Sequence, residues 1–162
     1  SAEMLAAART RLAGLPVSEF SKITFEAIIA GDFRPAPFDL IVSSFAIHHL
    51  ATAQKAALFE TLFGLLKPGG YFLNTDVVLS DDPVYTEWHF TLWREWIAAR
   101  QEGLGLDEDY TGVPAEARAK DENQFDALSV QLAALRHSGF AQVECHYRYG
   151  LFAIYGGRRP GA

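Results

Sequence analysis

The chain has 162 residues, 49% of them hydrophobic and 13% aromatic, and a formal net charge of −6. That length and apolar share fit one folded domain with a single core and exclude a disordered segment. The acidic balance and scattered Lys and Arg exclude a protein held on nucleic acid mainly by phosphate contacts, which needs a basic stripe, but leave room for an RNA bound through a few local contacts.

Cys145 is the only cysteine, so no intrachain disulfide can form, and it reads as a buried thiol in a reducing compartment. No apolar run reaches the roughly 20 residues of a bilayer span, and Ser1-Ala2-Glu3 lacks the layout of a signal peptide. The sequence therefore reads as a soluble, cytoplasmic protein without a membrane partner. The absent initiator Met reads as processing, a tag scar or truncation. His48, His49, His89, His137 and His146 show no zinc-ligand spacing, so no metal is expected.

Met4, Leu5, Ala8 and Leu12 recur at helical spacing, with Ser1 as N-cap and Gly14-Leu15-Pro16 as the stop. Residues 22–29 read as a short strand ending at Gly31-Asp32. After Pro35 and Pro37, Phe38 to Phe45 reads as a strand whose triplet Leu40-Ile41-Val42 implies a sheet covered on both faces. Thr52 offers an N-cap for a helix carrying Leu58, Phe59, Leu62, Phe63, Leu65 and Leu66, which Pro68-Gly69-Gly70 ends. Tyr71 to Leu79 is the next strand.

From Asp82 to about Glu102, Tyr85, His89, Leu92, Trp93 and Trp96 share one helical face, and Gly103, Gly105, Gly112 and Pro114 then break a mostly acidic segment. A last helix with Leu128, Leu132 and Leu135 ends at Gly139 and feeds two strands, Gln142 to Tyr149 and Leu151 to Gly156, joined at Gly150 as an antiparallel hairpin. Strand-helix alternation ending in a hairpin predicts an α/β fold, a Rossmann-like, mostly parallel sheet with a C-terminal antiparallel hairpin. Ligands of such sheets sit outside the carboxyl ends of the strands.

The stretch Pro37-Phe38-Asp39-Leu40-Ile41-Val42-Ser43-Ser44-Phe45-Ala46-Ile47-His48-His49-Leu50, followed by Leu66-Lys67-Pro68-Gly69-Gly70, resembles the second half of class I S-adenosylmethionine-dependent methyltransferases. The opening Ser1 to Arg9 is similar to the family helix after the ribose-binding acid. Gly31-Asp32-Phe33 resembles the turn after the third strand, Leu65 to Asp76 the fifth strand, and Phe140 to Arg159 the sixth and seventh. The resemblance implies S-adenosylmethionine as cofactor, with the Asp32 carboxylate accepting from the adenine amino group, Phe33 against the purine and Ser44 facing the methionine end. It implies a variable helical insertion or lid over 81–125, with His49, Tyr85, His89, Trp93 and Arg118 as candidate substrate-binding residues, and it designates no catalytic residue. His48 and His49 are adjacent, so their side chains diverge by about 100° on a helix and cannot serve one atom together.

The Gly-rich turn that precedes these motifs in the family is absent from the 162 residues, so the chain reads as a partial methyltransferase domain truncated at its N-terminus. The family's strand order, third, second, first, fourth, fifth, seventh, sixth, would then leave two strands without neighbours, to be satisfied by mutual pairing or by a homodimer exchanging edges. Weak or no cofactor binding by the chain is the expectation. The function read for the parent protein is methyl transfer to a small-molecule or nucleic-acid-linked nucleophile. The alternatives are a nucleotide-dependent oxidoreductase and a non-catalytic interaction or scaffold domain derived from the methyltransferase fold.

Overall fold

A computed structural model describes residues 2–15, 20–33, 35 and 37–161. They fall into two units, Ser1–Arg34 and Pro35–Ala162. In the first, helix α1 spans Ala2–Arg11, as its periodicity predicts, and Ser1 and Pro16, read as its cap and stop, lie outside the described residues.

The strand expected over residues 22–29 is instead helix α2, Phe25–Ile29. Thr24 explains the start, its Oγ1 accepting from the Ala27 N–H at 3.2 Å. Gly31 explains the stop: its φ of 80° gives the left-handed residue of a Schellman motif, with Gly31 N–H donating to the Ile28 carbonyl and Asp32 N–H to that of Ala27. A strand needs a neighbour for its amides, and this segment satisfies its own through local bonds.

The second unit begins with β1, Phe38–Ser44, and a single 3₁₀ turn over Ile47–His49. Helix α3, Thr52–Leu65, follows, with Ala51 rather than Thr52 as its N-cap and the Ala51 N–H donating to Gln54 Oε1. Strand β2, Leu66–Val77, starts directly where α3 ends, so Pro68, Gly69 and Gly70 lie inside the strand rather than stopping the helix. The carbonyls at the end of α3 are met by Arg159, whose Nη1 donates to Phe63, Gly64 and Leu66 at 2.6–3.2 Å.

Helix α4 spans Pro83–Leu104, with the Asp82 side chain capping it through the Val84 N–H and Gly105 left-handed at its end. A short helix α5, Val113–Ala119, occupies what reads in sequence as an acidic loop. Helix α6, Leu128–His137, leads into β3, Ala141–Tyr149, and β4, Phe152–Arg158.

The four strands form one open sheet in the order β1-β2-β4-β3, with β1 parallel to β2 and the other two ladders antiparallel. This is the fourth-fifth-seventh-sixth half of the expected order, and the fold is the α/β, Rossmann-like one the sequence predicts. The last strand in sequence is inserted between earlier ones. Its close packing fixes Gly156, where an added Cβ would lie 2.0 Å from the Phe72 carbonyl oxygen.

Helices α3 and α6 cover one face of the sheet. Period-two alternation turns Phe72, Asn74 and Asp76 of β2 and Ala153 and Tyr155 of β4 toward them, and all five are buried. Phe59 of α3 meets Phe72 at 5.7 Å, and each such fully buried side chain contributes about 1.5–3 kcal/mol. The opposite face corrects the expectation of a strand covered on both sides: Leu40 and Val42 of β1 are 52% and 63% exposed.

Candidate functional site

The sheet's parallel seam ends, on its carboxyl side, in a cluster of polar side chains. Phe45 prolongs β1, its N–H donating to the Thr75 carbonyl at 2.8 Å, and then turns sharply with a φ of 48°, a conformation costly for a bulky residue and frequent at functional sites. The turn buries Ile47 and brings His48 over the end of β2.

Asp76 lies in β2 immediately after Thr75, the register partner of Ser44, and is 2% exposed. Its carboxylate meets His48 twice. The backbone N–H of His48 donates to Oδ2 at 3.0 Å and the ring Nδ1 lies 2.5 Å from Oδ1. Oδ1 also accepts from the Val77 N–H. A carboxylate can only accept, so Nδ1 carries a proton, and in the neutral ring Nε2 is then the nitrogen with the lone pair. The His48 ring is held between His49 at 4.1 Å and Phe125 at 5.6 Å, and its carbonyl accepts from the Gln124 N–H.

Behind this pair runs a buried polar chain. Asn74 Nδ2 donates to Asp76 Oδ2 at 3.4 Å and to the Tyr155 hydroxyl at 2.8 Å, and Tyr155 donates to Gln131 Oε1. Gln131 donates to Asp126, which also receives Thr52 and the buried Lys55. Burial holds the Tyr155 phenol well above its ordinary range, with the bond from Asn74 acting against that shift. Among the described residues Asn74 Oδ1 is a buried oxygen without a partner.

Sequence reasoning placed Asp76 at the end of a strand and gave it no role. The available signal was the alternation Phe72, Asn74, Asp76, which puts two polar side chains on a core-facing strand face where only satisfied groups persist.

Helix α4 crosses above the same end of the sheet. Phe90 packs into the core with Val77 and Leu151, while the stripe Tyr85, His89, Leu92, Trp93 and Trp96 faces the β3–β4 hairpin. Phe45, Trp93, Trp96, Tyr147, Tyr149 and Phe152 line a half-open aromatic cavity of about 310 Å³. Tyr149 also lines an adjoining groove with Tyr85, Trp88, His89, Leu92, Arg148 and Gly150. Burial lowers the pKa of His89, and the Arg148 charge lowers it further.

His49 is exposed, its Nδ1 near the Glu122 carbonyl at 3.2 Å. Arg118 pairs in bidentate fashion with Glu87 and covers Phe90 at 5.0 Å, fastening α5 to another face of α4. Ser44 is exposed at the tip of β1. Asp32 and Phe33 belong to the first unit. The Asp32 carboxylate is exposed and accepts no hydrogen bond among the described residues, while Phe33 is half-buried. No group of three or more His, Cys, Asp or Glu side chains among the described residues could hold a metal ion. No described helix is long and apolar enough to cross a membrane.

Residues 1–72 match a family model described as a methyltransferase domain. Over 99 residues the chain is 33% identical to phosphoethanolamine N-methyltransferase of Plasmodium falciparum, covering 60% of this chain and 36% of that protein. An O-methyltransferase family protein from Burkholderia thailandensis shares the fold at a TM-score of 0.65 and 18% identity, covering 97% of this chain and 41% of the other. Human N-acetylserotonin methyltransferase in complex with S-adenosylmethionine aligns at 0.54 and 16%, covering 93% and 36%. The chain spans between 36% and 66% of the length of the first curated relatives it matches. The chain is thus similar in sequence to methyltransferases over part of its length and shares the fold of class I S-adenosylmethionine-dependent methyltransferases.

Proposed function

We propose that the protein carrying this chain transfers a methyl group from S-adenosylmethionine to a hydroxyl or amine acceptor, with His48 as general base and Asp76 as its positioning residue. The observation that carries this reading is the double contact of the Asp76 carboxylate with His48 at the carboxyl end of the parallel seam. When bound, S-adenosylmethionine supplies an electrophilic methyl group on a sulfonium, already a good leaving group. The protein's task is therefore chiefly orientation, with a base needed for a weakly acidic acceptor.

Asp76 holds the Nδ1–H tautomer, and His48 Nε2 takes the proton that the acceptor releases as its new bond to carbon forms. The residues expected to hold the donor fit it chemically. Within the first unit Asp32 offers an exposed carboxylate, without a hydrogen bond among the described residues, to an exocyclic amine and Phe33 a half-buried ring to a purine, and within the second Ser44 offers an exposed polar group at its strand tip. The acceptor class is a small molecule or a nucleic-acid-linked group.

The test is formation of S-adenosylhomocysteine, followed by mass spectrometry with S-adenosylmethionine and a metabolite or RNA pool. Turnover that collapses in His48→Ala supports the reading, and turnover that His48→Ala leaves intact overturns it. The rival reading is a non-catalytic domain on this fold. Titration calorimetry separates the two, because low-micromolar donor affinity of these residues defeats the second.

A further inference from the structure

We propose that the acceptor is a flat aromatic molecule carrying an anionic group, its ring seated in the cavity under α4 and its anion on Arg148. The word acceptor rests on the methyl-transfer reading; the binding claim rests on the cavity and groove alone.

Every side chain lining the cavity is aromatic: Phe45, Trp93, Trp96, Tyr147, Tyr149 and Phe152. Three of them are fixed edge-to-face, Phe45 on Phe152 at 6.0 Å and Trp93 on Phe152 at 5.2 Å, so that side of the cavity is held in place by its own packing. About 310 Å³ is at the small end of ligand pockets and suits one or two fused rings. Trp96 remains 51% exposed and Tyr147 57%, although large apolar surface in a folded core is ordinarily covered. The core itself is filled by a different stripe of α4, Thr86, Phe90 and Ile97, and of the cavity-lining residues on α4 Trp93 packs against it while Trp96 stays half exposed.

The anion is argued from charge. The chain is acidic overall, yet among the described residues no carboxylate pairs with Arg148. Its guanidinium donates only to neutral oxygens: Gly150 carbonyl at 3.0 Å, Leu79 carbonyl at 3.3 Å and Ser80 Oγ at 2.9 Å. Those bonds orient the group beside His89 in the groove that shares Tyr149 with the cavity. A fixed, planar, uncompensated cation next to an aromatic box matches a carboxylate or phosphate on a ring. Phe125, whose ring lies 5.6 Å from that of His48, packs on the same core cluster as Trp93 and Phe152 of the cavity wall.

The experiment is calorimetric titration of the protein with 2-naphthoate and with 2-naphthol, without any methyl donor. We expect naphthoate to bind about tenfold tighter than the neutral naphthol. Arg148→Gln should abolish that preference, lowering naphthoate affinity about tenfold and leaving naphthol unchanged. Trp96→Ala should weaken both ligands by about tenfold. Both residues are exposed, and an unchanged thermal melt verifies that each variant folds. Equal affinity of the two probes, a preference that survives Arg148→Gln, or binding undiminished in Trp96→Ala overturns the proposal. Since no donor is present, failure of methyl transfer leaves this result standing, and failure here leaves methyl transfer to another acceptor class.

Discussion

Asn74 and Tyr155 face one another across the antiparallel ladder of β2 and β4, amide nitrogen to phenol oxygen at 2.8 Å, with both side chains almost completely withdrawn from water. The phenol accepts from Asn74 and donates to Gln131, so it joins the Asp76 end of the buried polar chain to the Asp126 end. Tyr155→Phe keeps the ring and strands both partners. The expected loss is about 1–3 kcal/mol of stability, read by urea unfolding.

Asp76→Asn tests the positioning role. The side chain keeps its size, but the fixed charge that selects the Nδ1–H tautomer is gone, and an amide nitrogen can face the ring instead. We expect kcat to fall by about 10²–10⁴-fold with KM for the acceptor little changed. A loss confined to KM would assign Asp76 to binding.

His89 should titrate below the ordinary histidine value of 6.5, because burial and then the neighbouring Arg148 disfavour its cation. In the window between that lowered value and 6.5 the unfolded chain binds the proton and the folded one does not. Stability therefore falls as pH drops from 6.5 through the folded pKa and is fully present above 6.5. NMR titration of the His89 ring checks this. Arg148→Gln should move the midpoint upward, leaving it below 6.5 because burial persists.

Two glycines should respond oppositely to alanine. At Gly156 the new methyl would run into the Phe72 carbonyl, and overpacking of this kind costs about 1–3 kcal/mol. At Gly64, in the last turn of α3, nothing lies within 4 Å, and the gain in helix propensity should stabilise by about 0.5–1 kcal/mol. Paired thermal melts read both signs.

What the sequence made legible follows from which signals are local. Leu40-Ile41-Val42, the leucine-rich helix after it and the Gly150 hairpin carry their period and punctuation within a few residues, and each appears where expected. Residues 22–29 misled because short apolar runs satisfy either period; the deciding groups were Thr24 and Gly31 at the two ends. Helix α5 was hidden by Gly112 and Pro114, which read as breakers but stand at its start, where both are tolerated. Within the site, the aromatic stripe of α4 was visible as a 3.6-residue pattern. The His48–Asp76 contact was not, because a distance across 28 positions is set by strand register, which no local pattern prints. Arg118 read as a substrate-binding candidate because its Glu87 partner lies 31 positions away, out of reach of any local pattern.

The insertion of β4 between β2 and β3 also bears on biosynthesis. A ribosome delivers chain from the N-terminus, yet β3 has no ladder to join until the strand after it has emerged, and Arg159, which closes the end of α3, is later still. Within the unit from Pro35 onward, α3 can settle on β1 and β2 early, whereas the edge strand β3 joins the sheet only once β4 has emerged.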